Sequence, residues 1–419
     1  MSEQRKNGFF IRSVRKVNKA YEESVERNDP IYLEPIHKKE ESEEKVLQRG
    51  SIDWFFFLIV VAICCFGAVM SYSASFYTAE LETGDSLYYI VRHVGFILLA
   101  AMITVPFVIF GRPWLWKAFS MIAYIISIIL LLAVLVVGAS GNGAQRWIEI
   151  GPITIQPSEI AKMSVVMFLA LIMSKYEKQI GLSQKFRGHF RYGVLYPALV
   201  IGAICGLVML EKHLSGLIII GLLGLTVMLL GGTDKKWMLM ICGFGVLAVG
   251  VVLLFSDYAQ DRVMTWLFIE KADPQGSAWQ TLQGLYAIGS GGIFGVGLGN
   301  SKQKYGYVSE PQNDFIFTII CEELGFIGAL AVMILFALLL WRGYRIASRA
   351  PDKFSALVVY GLTTKIALQA VLNIAVVTNS MPNTGIALPF FSSGGTALML
   401  QIFEMGIILS ISRFSYVKK

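Results

Sequence analysis

The chain has 419 residues, 55% of them hydrophobic and 16% charged, with a formal net charge of +7. A soluble chain of this length carries roughly a quarter of its residues as charges, whereas here residues 1–50 alone hold eleven of the Lys/Arg and ten of the Asp/Glu, leaving 25 basic and 19 acidic side chains for the other 369 residues. That deficit, with long apolar runs broken by short polar loops, excludes a soluble enzyme, and the positive excess in those loops reads as membrane orientation and not as a nucleic-acid-binding face.

Residues 1–50 read as a charged cytoplasmic tail, expected to be disordered. Phe10, Val14, Val17 and Tyr21 do fall at helical spacing among Arg12, Arg15, Lys16 and Lys19, the pattern of a short helix lying on anionic lipid. From residue 51 to 419 the pattern is that of a membrane domain. A bilayer core needs about twenty apolar residues per helix, which gives about ten spans, near 54–75, 88–110, 115–138, 158–175, 192–210, 214–232, 237–255, 313–341, 354–379 and 395–412. The first apolar run starts some fifty residues in and is long enough to span, so it is not read as a secretory signal. The expected fold is all-α, because an open strand in lipid leaves its backbone groups unpaired.

Basic residues fix the sidedness. Arg112 and Lys117 lie in the second loop, Lys175, Lys178, Lys185, Arg187 and Arg191 in the fourth, Lys235 and Lys236 in the sixth, and Arg342, Arg345, Arg349 and Lys353 in the eighth. Segments 76–87 and 380–394 have none, and 139–157 has Arg146 alone. Both termini are therefore expected in the cytoplasm, and residues 256–312 form one large extracellular loop between the seventh and eighth spans.

All five cysteines lie inside apolar runs without CxxC spacing, and the four histidines do not cluster, so neither a disulfide framework nor a zinc site is expected. Function is sought in polar groups at membrane depth, where each ionised side chain costs about 2.5–3.5 kcal/mol. Arg92, Glu159, Lys162, Asp314, Glu322, Glu323, Lys365 and Glu404 are such groups, with Asn373 and Asn379. Glu159 and Lys162 are three apart and share a helix face; Glu322, Glu323 and Glu404 could equally be structural pairs. Asp314 opens the eighth span directly after the large loop, Glu159 opens the fourth, and Arg146-Trp147 and segment 380–394 lie in outer loops. Acid, base and cation thus converge on the outer leaflet, as a lipid-anchored anionic substrate would require. The stretch Gly289 to Gly299 lacks the Lys-Ser/Thr of a phosphate-binding loop and a surrounding βαβ unit, so close backbone packing or a re-entrant loop is expected there. Trp147, Trp266 and Trp279 read first as interfacial anchors; Trp147, beside Arg146, could also stack on a sugar.

Several segments together resemble one family. They are Gly143-Ala144-Gln145-Arg146-Trp147-Ile148, Gln156-Pro157-Ser158-Glu159-Ile160-Ala161-Lys162, Trp279-Gln280 with Ala287-Ile288-Gly289-Ser290-Gly291-Gly292, Asn313-Asp314-Phe315-Ile316-Phe317 with Glu322-Glu323-Leu324-Gly325, and Leu388-Pro389-Phe390-Phe391-Ser392-Ser393-Gly394-Gly395. Over nearly all of 54–412 the chain resembles the SEDS (shape, elongation, division and sporulation) family, the FtsW/RodA/SpoVE group of peptidoglycan glycosyltransferases. Lys302-Gln303-Lys304-Tyr305 and Glu310 to Asp314 are more similar to the division and sporulation branch. Three positions depart from the family pattern: Ser309, Lys212 and Ser393.

The resemblance implies a ten-span fold in the bacterial cytoplasmic membrane. It also implies polymerisation of lipid II into glycan strands at the outer face, with release of undecaprenyl pyrophosphate. Asp314 would be the catalytic carboxylate, and Arg146, Trp147, Glu159, Lys162, Lys365, Ser392 and Ser393 would contact substrate. Implied partners are a class B penicillin-binding protein transpeptidase and other divisome or elongasome membrane proteins. A divalent cation, Mg2+ or Mn2+, is the one cofactor left open; no organic cofactor is expected. A lipid II flippase, or a non-catalytic scaffold for the penicillin-binding protein, are the alternatives.

Overall fold

A computed structural model describes residues 45–418 apart from 142, 143, 152, 182–185, 393 and 394. The tail reading for 1–50 therefore falls almost wholly outside the described residues. Residues 47–416 form one compact unit.

The helices are α1 (Trp54–Thr83), α2 (Tyr88–Phe110), α3 (Pro113–Val137), α4 (Pro157–Lys175), α5 (Glu177–Gly181), α6 (Phe186–Phe190), α7 (Tyr196–Leu210), α8 (Leu214–Gly231), α9 (Lys235–Phe255), α10 (Asp257–Leu267), α11 (Trp279–Gly291), α12 (Ile316–Ser348), α13 (Lys353–Val377) and α14 (Gly395–Ser412). Among the described residues nine helical segments are long and apolar enough to cross a membrane, the fifth combining α6, a π-helical turn (Arg191–Leu195) and α7. A further helix of 21 residues, α9, stands at the expected seventh span. The ends are set locally. The Asp53 carboxylate caps α1 by accepting the Phe56 N–H at 2.9 Å, and Arg342 of α12 pairs with it, also at 2.9 Å. Pro113 and Pro157 occupy the first turns of α3 and α4, where a missing N–H costs nothing.

The three spans with the most polar residues are the innermost. In α4, α13 and α14, 72%, 67% and 61% of the spanning residues are buried, against 22% and 28% in α2 and α3. Polar side chains at membrane depth must be satisfied by protein, since lipid offers no partner; α4, α13 and α14 therefore take the centre, and uniformly apolar helices face the acyl chains.

Two features of the outer side were not legible as spans. First, β1 (Ala139–Gly141), β2 (Ala144–Ile150) and β3 (Ile153–Ile155) form a three-stranded antiparallel sheet, in that order. The register pairs Ala139 with Trp147 and Ser140 with Gln145, so Arg146 is the extra residue of a β-bulge. Second, α12 is broken at Gly325, whose φ is 64° and ψ −162°. The glycine-rich segment fills the break: Val296 and Gly297 N–H donate to the Glu322 and Glu323 carbonyls at 2.9 and 3.0 Å, and Phe326 and Ile327 N–H donate to Gly292 and Ile293 carbonyls at 2.9 and 3.2 Å. The expected backbone packing is thus realised, and the glycines are needed for it. A Cβ on Gly291 would lie 1.9 Å from the Cys321 carbonyl oxygen, whereas one on Gly289 would meet nothing within 4 Å. We expect Gly291→Ala to cost about 1–3 kcal/mol or more by overpacking and Gly289→Ala to be neutral, measured as thermal unfolding midpoints in detergent; equal midpoints would contradict this.

Glu322 and Glu323 belong to the same construction. Glu322 accepts from Ser301 Oγ at 2.5 Å and Lys302 N–H at 2.9 Å. Glu323 pairs with Lys304 at 2.7 Å and accepts from Ser73 Oγ at 2.6 Å, all fully or almost fully buried. Their structural reading is the one realised: they pin the outer loop onto α12.

Candidate active site

A cavity of about 350 Å³ opens where the third, fifth, seventh and ninth loops meet the helix ends, on the side that the Lys/Arg distribution assigns to the outside. Six of the expected site residues line it: Arg146, Trp147, Glu159, Lys162, Asp314 and Ser392. Arg146 and Trp147 are adjacent on a strand, where side chains ordinarily alternate faces; the bulge at Arg146 turns both toward the cavity. The Arg146 guanidinium donates to the Lys212 carbonyl at 2.6 Å, and Lys212 holds a left-handed backbone, φ 54°.

Asp314 lies in a run of turns two residues before α12 begins, so the eighth span starts slightly later than its apolar pattern suggests. That turn is gripped from one helix and one loop. Asn373 of α13 donates to the Asp314 carbonyl at 2.6 Å and to the Ile386 carbonyl at 2.7 Å. Ser392 donates to the Asn313 carbonyl at 2.7 Å. Asn313 in turn donates to the Glu310 carboxylate at 2.6 Å, and Glu310 has a positive φ of 55°, a strained conformation of the kind found at functional sites. The Asp314 carboxyl lies against Gly385, where a Cβ would be 3.5 Å from Oδ2. Enclosure by protein, with the Glu310 carboxylate nearby, pushes the Asp314 carboxyl up to about 6, against the pull of its own backbone and of Arg262 on α10.

The large loop braces this wall. Arg262 donates to the Asn383 carbonyl, Asn383 Nδ2 donates to Gln280 Oε1 at 3.1 Å, and Gln280 donates to the Ser309 carbonyl at 3.1 Å. Trp266 and Trp279 use their indole N–H on the Asn379 and Tyr307 carbonyls at 2.9 and 2.8 Å.

Also in the lining, Lys162 pairs with Glu159 at 2.5 Å, both buried. Lys365 does not line the cavity: its fully buried ammonium lies behind Glu159, 2.5 Å from Glu404 and 3.7 Å from Glu159. Its partners in this structure are Glu404 and Glu159. Ser393 lies outside the described residues.

His213, Glu310, Gln369 and Gln401 also line the cavity and were not singled out as site residues. Gln369 is four residues from Lys365, on the same helix face, a signal the sequence did offer. Burial, then Lys162 and Arg146, lowers His213 to about 3, and burial raises the nearby Glu211 to about 8, against Arg146. Arg146 and Lys162 are the Lys/Arg side chains that line the cavity. Among the described residues no three His, Cys, Asp or Glu side chains gather as a metal site.

Among the described residues, nine helical segments long and apolar enough to cross a membrane, with one cavity lined by the Asp314 carboxyl and by the cations Arg146 and Lys162, define a polytopic membrane protein whose cavity suits an anionic ligand. A family model described as "Cell cycle protein", FTSW_RODA_SPOVE, matches residues 53–417. The chain is 37% identical to the stage V sporulation protein E of Bacillus subtilis (strain 168) over 377 residues, 88% of this chain and 99% of that one. It is 35% identical to the probable peptidoglycan glycosyltransferase FtsW of Trichlorobacter lovleyi, over 88% of this chain and 95% of that one. A chain solved in work on the structural coordination of polymerization and crosslinking by a peptidoglycan synthase complex superposes with a TM-score of 0.69 at 26% identity, covering 86% of this chain and 98% of that one. The chain belongs to the FtsW/RodA/SpoVE (SEDS) family, as a multi-pass protein of the bacterial cytoplasmic membrane.

Proposed function

We propose that this chain is a peptidoglycan glycosyltransferase that polymerises lipid II at the outer face of the membrane, serving division or sporulation, beside a class B penicillin-binding protein that crosslinks the product. The observation that carries the reading is that Asp314, Arg146 and Lys162 line one cavity. Family membership and the glycosyltransferase name of the T. lovleyi relative support it, and the synthase-complex neighbour supports the crosslinking partner.

In the reaction an acceptor sugar hydroxyl attacks the anomeric carbon of a lipid-linked disaccharide. The new C–O bond forms as the bond to pyrophosphate breaks, the electron pair leaves with undecaprenyl pyrophosphate, and Asp314 takes the hydroxyl proton. A single displacement inverts the anomeric centre. Arg146 and Lys162 face the departing phosphates, whose charge needs preorganised cations; Trp147 offers a face to a sugar ring. Were Mg2+ or Mn2+ to bind, Glu310 and Asp314, which both line the cavity, would supply its protein oxygens and the substrate the others, and the cation would add positive charge beside the leaving group.

The base must be ionised to act, and its carboxyl is raised to about 6. kcat/KM should therefore be level above that pH and fall about tenfold per unit below it. Initial rates of glycan synthesis from lipid II across pH 5 to pH 8 check this; a profile that stays flat below pH 6 rules out Asp314 as the titrating base. The enzyme should be assayed alone and co-purified with a class B penicillin-binding protein.

A further inference from the structure

Glu159, Lys162, Lys365 and Glu404 form an alternating chain of charge from the cavity wall into the centre of the bundle, across α4, α13 and α14. Lys162 is held by Glu159 Oε1 at 2.5 Å and Lys365 by Glu404 Oε1 at 2.5 Å. Lys365 also stands 3.7 Å from Glu159 Oε2. Glu159 Oε2 and Glu404 Oε2 accept no hydrogen bond, and no residue of the four is more than 7% exposed. Four buried charges are a poor route to stability, since apolar residues of the same volume are usually as good or better. The arrangement has a different property: Lys365 sits between two carboxylates, bonded to one and just short of bonding the other.

We infer that Lys365 and Glu404 are positioning residues that exchange counter-ions with Glu159, so that Lys162 can be released to an incoming phosphate group. This rests on the glycosyltransferase reading, which supplies the anionic, prenyl-linked ligand. In the resting chain Glu159 neutralises Lys162, and an ammonium so paired is a weak anion binder. When a phosphate draws Lys162 toward the cavity, Glu159 would be left as a buried unpaired charge. A shift of Lys365 toward the open Oε2 removes that penalty, and the total charge of the network is unchanged. Glu404 opposes the shift and so sets how readily Lys162 is released.

The two positions should therefore act in opposite directions. Lys365→Met leaves Lys162 as the sole partner of Glu159, and the KM for lipid II should rise about tenfold while kcat changes less. Glu404→Gln weakens the hold on Lys365, and KM should fall about threefold. In the double variant Lys365→Met, Glu404→Gln the fall should vanish, since it acts through Lys365. A purely structural role would lower the yield of folded protein and activity together, without this split. Shifts of KM in the same direction, or an effect of Glu404→Gln that persists without Lys365, overturn the inference. Should Lys365→Met not accumulate as folded protein, Glu404→Gln decides alone: an unchanged or raised KM overturns it. The wider reading fails separately, if Asp314→Asn still polymerises lipid II.

Discussion

Replacing Asp314 by Asn should lower glycan polymerisation by about 10²–10⁴-fold, the contribution of a positioned general base, with the fold retained. Asn preserves the shape of the side chain and cannot take the acceptor proton. The turn that carries Asp314 is held through its backbone, by Asn373 and Ser392 acting on carbonyl oxygens, so the substitution leaves those anchors in place. Removing the carboxylate also relieves its repulsion with Glu310, and thermal stability should be unchanged or slightly higher. Purified variant and wild type are compared on lipid II, by product length and initial rate, with melting midpoints alongside. Normal polymerisation by Asp314→Asn or Asp314→Ala would remove the residue from the chemistry. A lipid carrier would behave in that way, transporting substrate without needing the carboxylate.

The largest expected loss of stability lies outside the cavity. In Lys304→Met the Glu323 carboxylate loses its cation while fully buried, and breaking such a pair costs about 3–5 kcal/mol. Lys304 also donates to the Gly299 carbonyl at 2.8 Å and lies 4.6 Å from the Phe76 ring centroid, so the large loop, α1 and α12 separate together. The melting midpoint should drop sharply, and Lys304→Met with Glu323→Gln should recover part of the loss by removing the stranded charge. A single variant as stable as wild type would mean that the ion pair does not hold the loop.

Sequence by itself determined what the bilayer imposes. Apolar runs long enough to cross had to become helices, since no other chain conformation satisfies its own backbone in lipid. The helices α2 (88–110) and α14 (395–412) end where those runs end. The same reasoning marked Asp314, Glu159 and Lys162, because an ionisable side chain at membrane depth has few explanations. Arg146 and Ser392 were legible through segments that resemble a family.

Tertiary structure alone decided which of those charges meet the cavity. Lys365 reads like Lys162 in the sequence, yet packing of α13 against α4 and α14 puts it behind Glu159. Likewise, the bulge that aims Arg146 and the backbone pairing of Gly291–Gly297 with the break at Gly325 depend on partners far along the chain. Composition and local spacing report how a residue tolerates lipid or water. They carry no information on which distant group will satisfy it, and that choice separates a charge that lines the cavity from one buried behind it.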